Sequence, residues 1–368
     1  MALTILSVAY PFAAIGPDAV GGAEQVLSAL DRAMVRNGHR SIVIACEGSK
    51  TAGELVPLAA QGGRIDDSVR HRVWGEVRQL IGEVLMRERV DLVHLHGLDF
   101  HAYLPESALT VATLHLPLDW YPGWIFESRA NLFLHCVSEI QHRTAPVGAP
   151  LLPPIPNGVP LELFLTRQRK RDHAIVLSRI CPEKGIHMAI QACRLADAAL
   201  VIGGQVFPYE AHERYFKEEL APFLDSRRRF LGPLVFNRKR RLLASARCAL
   251  VPSLVAETSS LTAMEALACG TPVIAFENGA LPGVVENGRT GFLVKNVSEM
   301  AEAIMAASSL DPQVCRDAAW QLFSPQRMEQ RYLDLYQGLA GMARPRQSSA
   351  EFAAGTIKQQ AQAHPSSR

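Results

Sequence analysis

The segment ALVPSLVAETSSLTAMEALACGTPVIA, residues 249–275, decides the fold class of this chain. Two short apolar runs, 249–251 and 273–275, enclose a stretch from 258 to 268 that has the apolar spacing of a helix. Gly270 and Pro272 end that helix, because glycine favours the turn after a helix and proline cannot continue one. The segment therefore predicts a strand, a helix and a strand in succession, which is the repeating unit of a parallel sheet.

The same alternation extends through the rest of the chain. In the N-terminal half, apolar patterns predict strands at 5–9, 41–45, 91–94 and 110–114, and helices at 23–36 and 76–87. In the C-terminal half they predict further strands at 174–177 and 200–202, and further helices at 186–196, 298–308 and 326–341. Buried strands that alternate with helices indicate the α/β class, with helices on both faces of each sheet.

A proline-rich segment, residues 149–160, separates the two series of strands. Proline fixes φ and has no N–H to donate, so this segment is expected to be a linker. We predict an N-terminal domain at 1–155, a C-terminal domain at 156–324 and a helix at 325–342 that packs back towards the first domain. Residues 343–368 lack a periodic apolar face and are expected to form a disordered tail.

Composition and charge narrow the function classes. The chain has 368 residues, of which 48% are hydrophobic and 20% charged, and its formal net charge is +2. These values are typical of a globular protein and too balanced for a nucleic-acid binder. The 7 cysteines form no Cys-x-x-Cys pair, which indicates reduced thiols in a cytoplasmic protein. No apolar run reaches the roughly 18 residues that a membrane span needs.

Three basic clusters leave a weak membrane contact open. They lie at 167–171, 227–229 and 238–241. Such clusters attract anionic lipid, although basic side chains on a protein surface are more often simply solvated. We therefore expect a cytoplasmic protein, with peripheral contact at the inner face of the membrane as the weaker alternative.

Two segments near predicted strand ends have the chemistry of an anion site. Gly21 and Gly22 lie between a strand and a helix, where the backbone can approach a ligand and helix N–H groups point outwards. Arg179 ends a strand and Lys184 precedes the next helix, so these two cations could neutralise a diphosphate. A plain tight turn and a pair of solvated charges explain the same residues, and both interpretations stay open at this point.

Two glutamates accompany the helix predicted at 258–268. Glu257 directly precedes it, and Glu265 lies about two turns further along. The amides of the expected first turn, 258–261, suit phosphate oxygens, and carboxylates suit sugar or ribose hydroxyls. Alternatively, Glu257 is a favourable charge at a helix start and Glu265 is an exposed helical residue.

In this order, the motifs resemble those of the retaining glycosyltransferases of the GT-B fold, specifically glycosyltransferase family 4. The resemblance spans nearly the whole chain and includes the segments 21–24, 155–159, 201–204, 230–232 and 286–294, Arg179 with Lys184, and Glu257 with Glu265. Each motif alone is weak, whereas the ordered set is specific. The resemblance implies two Rossmann-like domains whose parallel sheets face one another across a cleft, with the acceptor on the N-terminal side and the nucleotide sugar on the C-terminal side.

The resemblance also implies an activity. A sugar would pass from a nucleotide-diphosphate donor, a UDP- or GDP-sugar, to an acceptor hydroxyl with retention, in glycan or glycoconjugate biosynthesis. No Asp-x-Asp motif stands at a predicted strand end, so the transfer is expected to need neither a metal nor a cofactor. The leaving phosphate would accept the proton of the acceptor, and no side-chain nucleophile is assigned.

The family's site residues map onto positions of this sequence. The resemblance implies that the donor is bound by Gly21, Gly22, Arg179, Lys184, Ser260, Leu261, Thr262 and Glu265, with Glu265 on the ribose hydroxyls. It implies catalytic roles for Arg179 and Lys184, for Glu257 on the hydroxyls of the transferred sugar, and for His115 beside the sugar pocket. A histidine satisfied at a strand end remains the alternative for His115.

The sequence departs from the family pattern at three places. After Glu257 the family usually has Gly or Pro and then Phe-Gly-Leu, whereas this chain has Thr-Ser-Ser-Leu at 258–261. Ala280 and Gly283 stand where a glycine is frequent and a glutamate usual, and Pro160 replaces a typical aspartate. These changes bear on sugar selectivity, and they keep a non-catalytic sugar-nucleotide-binding protein as the alternative function.

Two other enzyme classes fit the sequence less well. His94, His96, His101 and His115 would suit a metal-dependent hydrolase, but the two-domain pattern lacks the strand-helix repeat of such a barrel. The Gly-x-Gly-x-x-Gly fingerprint is missing, which disfavours an NAD-dependent dehydrogenase.

Overall fold

The strands of the computed structural model, which describes residues 2–166 and 168–343, form two parallel sheets. Arg167 of the first basic cluster lies outside the described residues, and so does the predicted tail, 343–368, apart from Ala343. Two all-parallel sheets with intervening helices confirm the predicted α/β class.

The N-terminal half builds the first sheet. Within the described residues it has 7 strands in the order β3-β2-β1-β4-β5-β6-β7. The strands are β1 (Thr4–Val8), β2 (Arg40–Cys46), β3 (Glu54–Leu58), β4 (Leu92–Leu95), β5 (Thr110–Leu114), β6 (Leu132–Cys136) and β7 (Leu151–Leu152). Its central strands β1, β4 and β5 are almost wholly buried, because helices cover both faces of the sheet.

The C-terminal half builds the second sheet. Within the described residues it has 6 strands in the order β10-β9-β8-β11-β12-β13. The strands are β8 (His173–Leu177), β9 (Ala199–Gly203), β10 (Arg228–Phe230), β11 (Cys248–Val251), β12 (Val273–Phe276) and β13 (Gly291–Val294). In both sheets the strand order reverses beside the first strand, and ligands of such sheets bind in the crevice at the carboxyl ends there.

Helices connect these strands, and further helices follow the last strand. In the N-terminal half they are α1 (Gly22–Arg36), α2 (Asp67–Arg87) and α3 (Glu139–Arg143). The remaining α-helices of the described residues are α4 (Leu161–Phe164), α5 (Ile186–Leu195), α6 (Glu210–Tyr215), α7 (Phe236–Ser245), α8 (Leu261–Ala268), α9 (Val297–Ala306), α10 (Pro312–Leu322) and α11 (Pro325–Ala343).

The helix α11 leaves the second sheet and packs on the N-terminal half. The Tyr336 hydroxyl lies 2.6 Å from Nδ1 of His94 on β4, and α11 also contacts α1. The chain crosses between the two halves twice, near Val159 and near Phe323. The two crossings are in contact, because the Val159 amide donates to the Phe323 carbonyl. A Cβ on Gly158 would lie 2.7 Å from the Ser324 carbonyl oxygen, so a larger residue would push the two passages apart.

The helix α8 begins later than predicted. The sequence placed its first turn at 258–261, but the helix starts at Leu261 and the segment 258–260 is a loop. Ser260, just before the helix, has a left-handed φ of 66°. The prediction was wrong because threonine and serine are good helix-start residues, and their local preference is overridden by contacts across the molecule.

The cysteines and the apolar residues are distributed as the composition suggested. Every cysteine is buried, and none of them is in a disulfide; all lie in the described residues. The largest apolar cluster joins the facing layers of both halves, including Met34 of α1, Val111 of β5, Leu267 of α8 and Tyr332 of α11. Over the described residues, no helix combines the length and the hydropathy needed to cross a bilayer.

Candidate functional site

A cleft between the carboxyl ends of the two sheets collects nearly all of the predicted site residues. Its lining includes Gly21, Gly22, Glu24 and His115 from the N-terminal half, and Arg179, Lys184 and Glu257 to Thr262 from the C-terminal half. Glu265, which was also predicted to bind the donor, lines adjoining pockets together with Lys239 and Phe236. The fold therefore brings nine of the ten predicted residues together in one cleft, although they are far apart along the chain.

The glycine loop faces the start of α8 across this cleft. A Cβ on Gly22 would lie 3.5 Å from Leu261 Cδ1, which is ordinary van der Waals contact. A Cβ on Gly21 would lie 1.8 Å from Glu24 Oε2, so glycine leaves the room that this carboxylate occupies. The backbone at 21–22 is thus open towards the first residues of α8.

The segment that carries Arg179 and Lys184 is held rigidly by its backbone. The Ile180 amide donates to the Gln205 carbonyl at 2.9 Å, and the Leu254 amide donates to the Glu183 carbonyl at 2.8 Å. Gly185, which ends this segment, has a φ of 59°. A Cβ there would also lie 2.1 Å from the Pro252 carbonyl oxygen, so the turn requires glycine.

Lys184 is paired with Glu257 in the cleft. The distance from Lys184 Nζ to Glu257 Oε1 is 2.5 Å, and the two side chains are 22% and 10% exposed. Burial would raise the pKa of Glu257, but the charge and hydrogen bond of Lys184, with help from Ser253 and Arg179, outweigh it and lower that pKa. Glu257 is therefore a carboxylate at neutral pH, and it can accept hydrogen bonds but cannot donate one.

The first turn of α8 lies at the wall of the cleft. Ser260 and Leu261 both line the cleft. The Thr262 hydroxyl donates to the Leu177 carbonyl at 3.1 Å, which ties the helix start to the end of β8. The unpaired N–H groups of a helix start carry partial positive charge, so this end of α8 suits an anion.

A hydrogen bond crosses the cleft between Thr258 and His115. The Thr258 hydroxyl donates to the backbone carbonyl of His115 at 3.0 Å. His115 follows β5 in the N-terminal half, whereas Thr258 belongs to the loop after β11. The loop that was predicted as the first helical turn is thus fixed by the opposite half of the molecule.

Two buried polar atoms in the cleft wall lack a hydrogen-bond partner among the described residues. They are Ser259 Oγ and Asn157 Oδ1. Ser259 and Asn157 are 4% and 5% exposed, and both line the cleft. Burying a polar atom without a partner costs free energy, so these atoms are available to a polar ligand.

Glu265 of α8 is buried and forms a second ion pair. Its Oε1 lies 2.7 Å from Lys239 Nζ, and the side chain is only 3% exposed. The Lys239 ammonium also lies 5.6 Å from the centre of the Phe164 ring. The pair lines the pocket next to the main cleft. The alternative that Glu265 is an exposed helical residue was therefore wrong.

Glu24 is a buried acid at the start of α1 that borders the glycine loop. The residue is 5% exposed and lines the cleft. Burial raises the pKa of its carboxyl, while the charge of Arg179 acts in the opposite direction. The sequence analysis quoted Glu24 within its motif but gave it no role.

Contacts at the rim join the two halves. The hydroxyls of Tyr10 and Tyr209 are hydrogen-bonded to each other across the cleft. Nearby, the Ile65 amide donates to the Pro208 carbonyl at 2.9 Å, and Arg64 pairs with Glu213 at 3.3 Å. These contacts hold the segment around Tyr209 against the N-terminal half.

Three of the histidines that suggested a hydrolase form a hydrogen-bonded chain. His96 Nδ1 lies 3.3 Å from His115 Nε2, and His96 Nε2 lies 3.0 Å from His94 Nδ1. Burial, and secondarily the charge of His135, lowers the pKa of His115 to about 3, so its ring is neutral at physiological pH. His101 is not part of this chain; its ring packs against Trp124.

Several lining residues had no signal in the sequence. Tyr10 and Tyr209 are far apart in the chain, and only folding brings their hydroxyls together. Ser259 Oγ is a buried atom without a hydrogen-bond partner among the described residues, which the sequence alone does not show. A serine or tyrosine in a loop is ordinary by itself, so neither periodicity nor spacing could have singled these residues out.

Comparison with known proteins gives the fold and the family. The family model described as "Glycosyltransferase Family 4" matches residues 20–163, and the one described as "Glycosyl transferases group 1" matches residues 171–309. Sucrose-phosphate synthase from Thermosynechococcus elongatus superimposes with a TM-score of 0.74 at 19% identity, over 92% of this chain and 100% of that one. HepE of Anabaena, solved in complex with UDP and glucose, superimposes with a TM-score of 0.68 at 18% identity, over 91% of this chain and 99% of that one.

A curated relative with higher identity matches a shorter stretch. The D-inositol 3-phosphate glycosyltransferase of Corynebacterium glutamicum strain R is 36% identical over 145 residues, which are 37% of this chain and 34% of that protein. The match thus spans about a third of the relative. Together with the two parallel sheets that face one another across a cleft, the two family matches define the class: the chain belongs to the GT-B glycosyltransferases of group 1 and family 4.

Proposed function

We propose that this protein transfers a sugar, with retention, from a UDP- or GDP-sugar to an acceptor hydroxyl in glycan or glycoconjugate biosynthesis. One observation carries the proposal: Arg179, Lys184, the first turn of α8 and the glycine loop all line the same cleft. Two cations and a helix start supply the positive field that a diphosphate needs. The complex of the structural neighbour HepE with UDP and glucose favours a uridine donor.

Arg179 and Lys184 would stabilise the leaving group. In the proposed step the bond between the anomeric carbon and the β-phosphate oxygen breaks, and negative charge develops on that phosphate. The acceptor oxygen forms its bond to the anomeric carbon on the same face of the sugar, and its proton passes to the departing phosphate. Fixed cations beside that oxygen lower the barrier without reorganisation, so the proposal requires no metal.

The sugar would lie between Glu257 and His115. Because Glu257 is ionised, its carboxylate can accept hydrogen bonds from two sugar hydroxyls. The neutral ring of His115 closes the pocket from the N-terminal half, and its backbone carbonyl already holds the loop of Thr258. The unpartnered Ser259 Oγ and Asn157 Oδ1 would complete the polar contacts to the donor.

The nucleoside would extend from the main cleft towards α7. Glu265 and Lys239 form the floor of the adjoining pocket, and Phe236 supplies an aromatic surface there. A carboxylate beside this pocket suits the two ribose hydroxyls, as the family resemblance implied. The amides of Ser260, Leu261 and Thr262 would hold the phosphates between the ribose and the sugar.

The domain division at 155/156 is part of the proposal. It is supported by the two sheets, which use residues 4–152 and 173–294, and by α11, which returns to the N-terminal half. The cytoplasmic location, with or without contact at the inner face of the membrane, also stays a prediction. Cell fractionation with and without a high-salt wash tests it, because salt releases a peripheral contact made by basic clusters.

A ligand screen tests the function. We expect UDP or GDP, and their hexose conjugates, to raise the Tm of the purified protein, since a ligand of the native state stabilises it. Transfer to an acceptor should then proceed without added Mg²⁺ or Mn²⁺ and give a product with the anomeric configuration of the donor. No shift with any nucleoside diphosphate would refute the donor site. Binding without transfer across a broad acceptor screen would favour a non-catalytic sugar-nucleotide-binding protein.

A further inference from the structure

A mixed cluster of metal-ligand side chains lies beside the cleft and outside its lining. In the part of the chain that the structure describes, Cys181, Glu183 and His212 each have a ligand atom within 4.8 Å of the other two. We propose that these three side chains form a zinc(II) site that is separate from the chemistry of the cleft.

The donor set fits zinc. Thiolate sulfur, imidazole nitrogen and carboxylate oxygen are its usual ligands, at about 2.0–2.3 Å. In a tetrahedral site such donors lie about 3.4–3.6 Å from one another, so the three side chains need to close by only about 1 Å. Three protein ligands leave a fourth position for water.

The cluster contains an imidazole nitrogen that lacks a partner. His212 Nδ1 is a buried atom without a hydrogen-bond partner among the described residues. The sulfur of Cys181 contacts the Arg179 carbonyl at 3.8 Å and also interacts with the Glu183 carboxylate, and the residue is 1% exposed. An orphaned nitrogen beside a buried thiol is the state that a bound metal would satisfy.

Charge also balances at this site. A cysteine thiolate and a glutamate carboxylate together carry two negative charges, which neutralise the two positive charges of Zn²⁺. The imidazole binds as a neutral group. Zinc would displace the thiol proton to solvent as the sulfur–zinc bond forms.

The elements that carry the ligands are well fixed. The Glu183 carbonyl accepts from the Leu254 amide at 2.8 Å, which anchors the turn that follows Cys181. On α6, the Tyr215 hydroxyl lies 2.9 Å from His187 Nδ1 of α5, one turn after His212. A zinc ion would therefore join α6 to the segment of Arg179 and Lys184 and hold both in place.

A metal titration tests the site. Tag-free full-length protein is treated with EDTA, dialysed and titrated with Zn²⁺ in competition with a fluorescent chelator. We expect one zinc per chain, bound with micromolar or tighter affinity. Co²⁺ in place of zinc should give the near-ultraviolet absorption of sulfur-to-cobalt charge transfer, which reports on Cys181. Absence of both signals from the wild-type protein would overturn the proposal without any variant.

Two variants and a matched control locate the ligands. Cys181→Ser should abolish the charge-transfer band, and His212→Gln should weaken zinc binding more than about tenfold, since a lost ligand costs more than a lost second-layer partner. His142→Gln is the matched control, because His142 Nδ1 is also a buried atom without a partner but belongs to α3. Wild-type affinity in His212→Gln, or equal losses in the control, would contradict the assignment. The readout is the metal itself, so its failure would leave the proposed transfer untouched.

Discussion

Lys184 and Glu257 form a largely buried ion pair at the centre of the cleft, and a donor would change the partner of the lysine. The pair lies at 2.5 Å with little exposure, so its charges are weakly screened. A diphosphate brings more negative charge than the carboxylate and would compete for the same ammonium. Glu257, released from the lysine, would then be free to hold sugar hydroxyls.

Lys184→Ala should therefore lower kcat by roughly 100- to 1000-fold, the scale for losing one group that stabilises transition-state charge. The change also leaves the buried Glu257 without its partner, so we expect a lower Tm. Steady-state transfer is measured on protein whose circular dichroism is native. Lys295→Ala, a change at an exposed lysine, should keep wild-type turnover. Near-normal kcat in Lys184→Ala would remove the residue from the mechanism.

The buried Glu24 makes stability depend on pH in a defined direction. Its folded-state pKa is raised by burial, so folding favours the protonated carboxyl. The stabilisation is fully present below the ordinary pKa of a glutamate and is lost as pH rises through the raised value. The contribution of Glu24 to stability therefore decreases as pH rises above the ordinary pKa of a glutamate.

Glu24→Gln resembles the protonated carboxyl and should raise Tm at neutral and alkaline pH. The advantage over the wild type should shrink as pH falls towards the ordinary pKa of glutamate, because the wild-type carboxyl is then protonated as well. Scanning calorimetry over this pH range measures the difference. Glu47→Gln, at an exposed glutamate, should show no such trend. A constant difference at all pH values would show that Glu24 does not titrate as inferred.

At the scale of single elements, α8 separates what the sequence can predict from what it cannot. Its end was predicted correctly, because Gly270 and Pro272 stop a helix by their own backbone preferences. Its start was not, because Thr258 donates to His115 in the other half and Ser260 adopts a left-handed φ. Local backbone preferences therefore set the end of α8, whereas a contact with the other half of the molecule sets its start.

The left-handed φ of Ser260 predicts which substitutions at this position preserve stability. Ser260→Gly should be tolerated, since glycine adopts positive φ without strain. Ser260→Val should be about 1–2 kcal/mol less stable than Ser260→Gly, the cost of a left-handed residue with a Cβ, and should disturb the start of α8. Calorimetric Tm gives the first effect, and the Kd for UDP gives the second.

Ser298→Val, on the exposed face of α9, controls for the side chain itself and should change Tm little. If Ser260→Val is as stable as Ser260→Gly, the strained turn is not a feature of the protein in solution.

At the scale of the whole molecule, the sequence predicted the order of the elements better than their number. The strands β1, β2, β4 and β5 of the first sheet and β8, β9, β11 and β12 of the second were predicted, because strands buried on both faces read as continuous apolar runs. The strand β6 was missed although it pairs on both sides. Peripheral strands such as β3, β10 and β13 were missed, since they are short or only partly buried. The cleft was predictable because glycines and cations follow strands, whereas the rim contacts depend on how the two halves meet.

The return of α11 to the N-terminal half should be measurable as stability. Tyr336→Phe removes the 2.6 Å hydrogen bond to His94 and should cost about 0.5–1.5 kcal/mol. Tyr332→Phe is the matched comparison on the same helix. Its hydroxyl contacts Thr113 at 3.3 Å, which is a longer and weaker hydrogen bond than the 2.6 Å bond of Tyr336, so the loss should be smaller. Equal Tm values for wild type and Tyr336→Phe would mean that α11 is not held by this bond.

The position of α11 also has a consequence for biosynthesis. The strands of the first sheet are complete once Leu152 has been translated, but Tyr336 leaves the ribosome much later. At about 5–20 residues per second, the nascent N-terminal half waits roughly 10–40 s for the helix that covers His94. During that interval its apolar surface is available to molecular chaperones, and the half synthesised first is among the last to be finished.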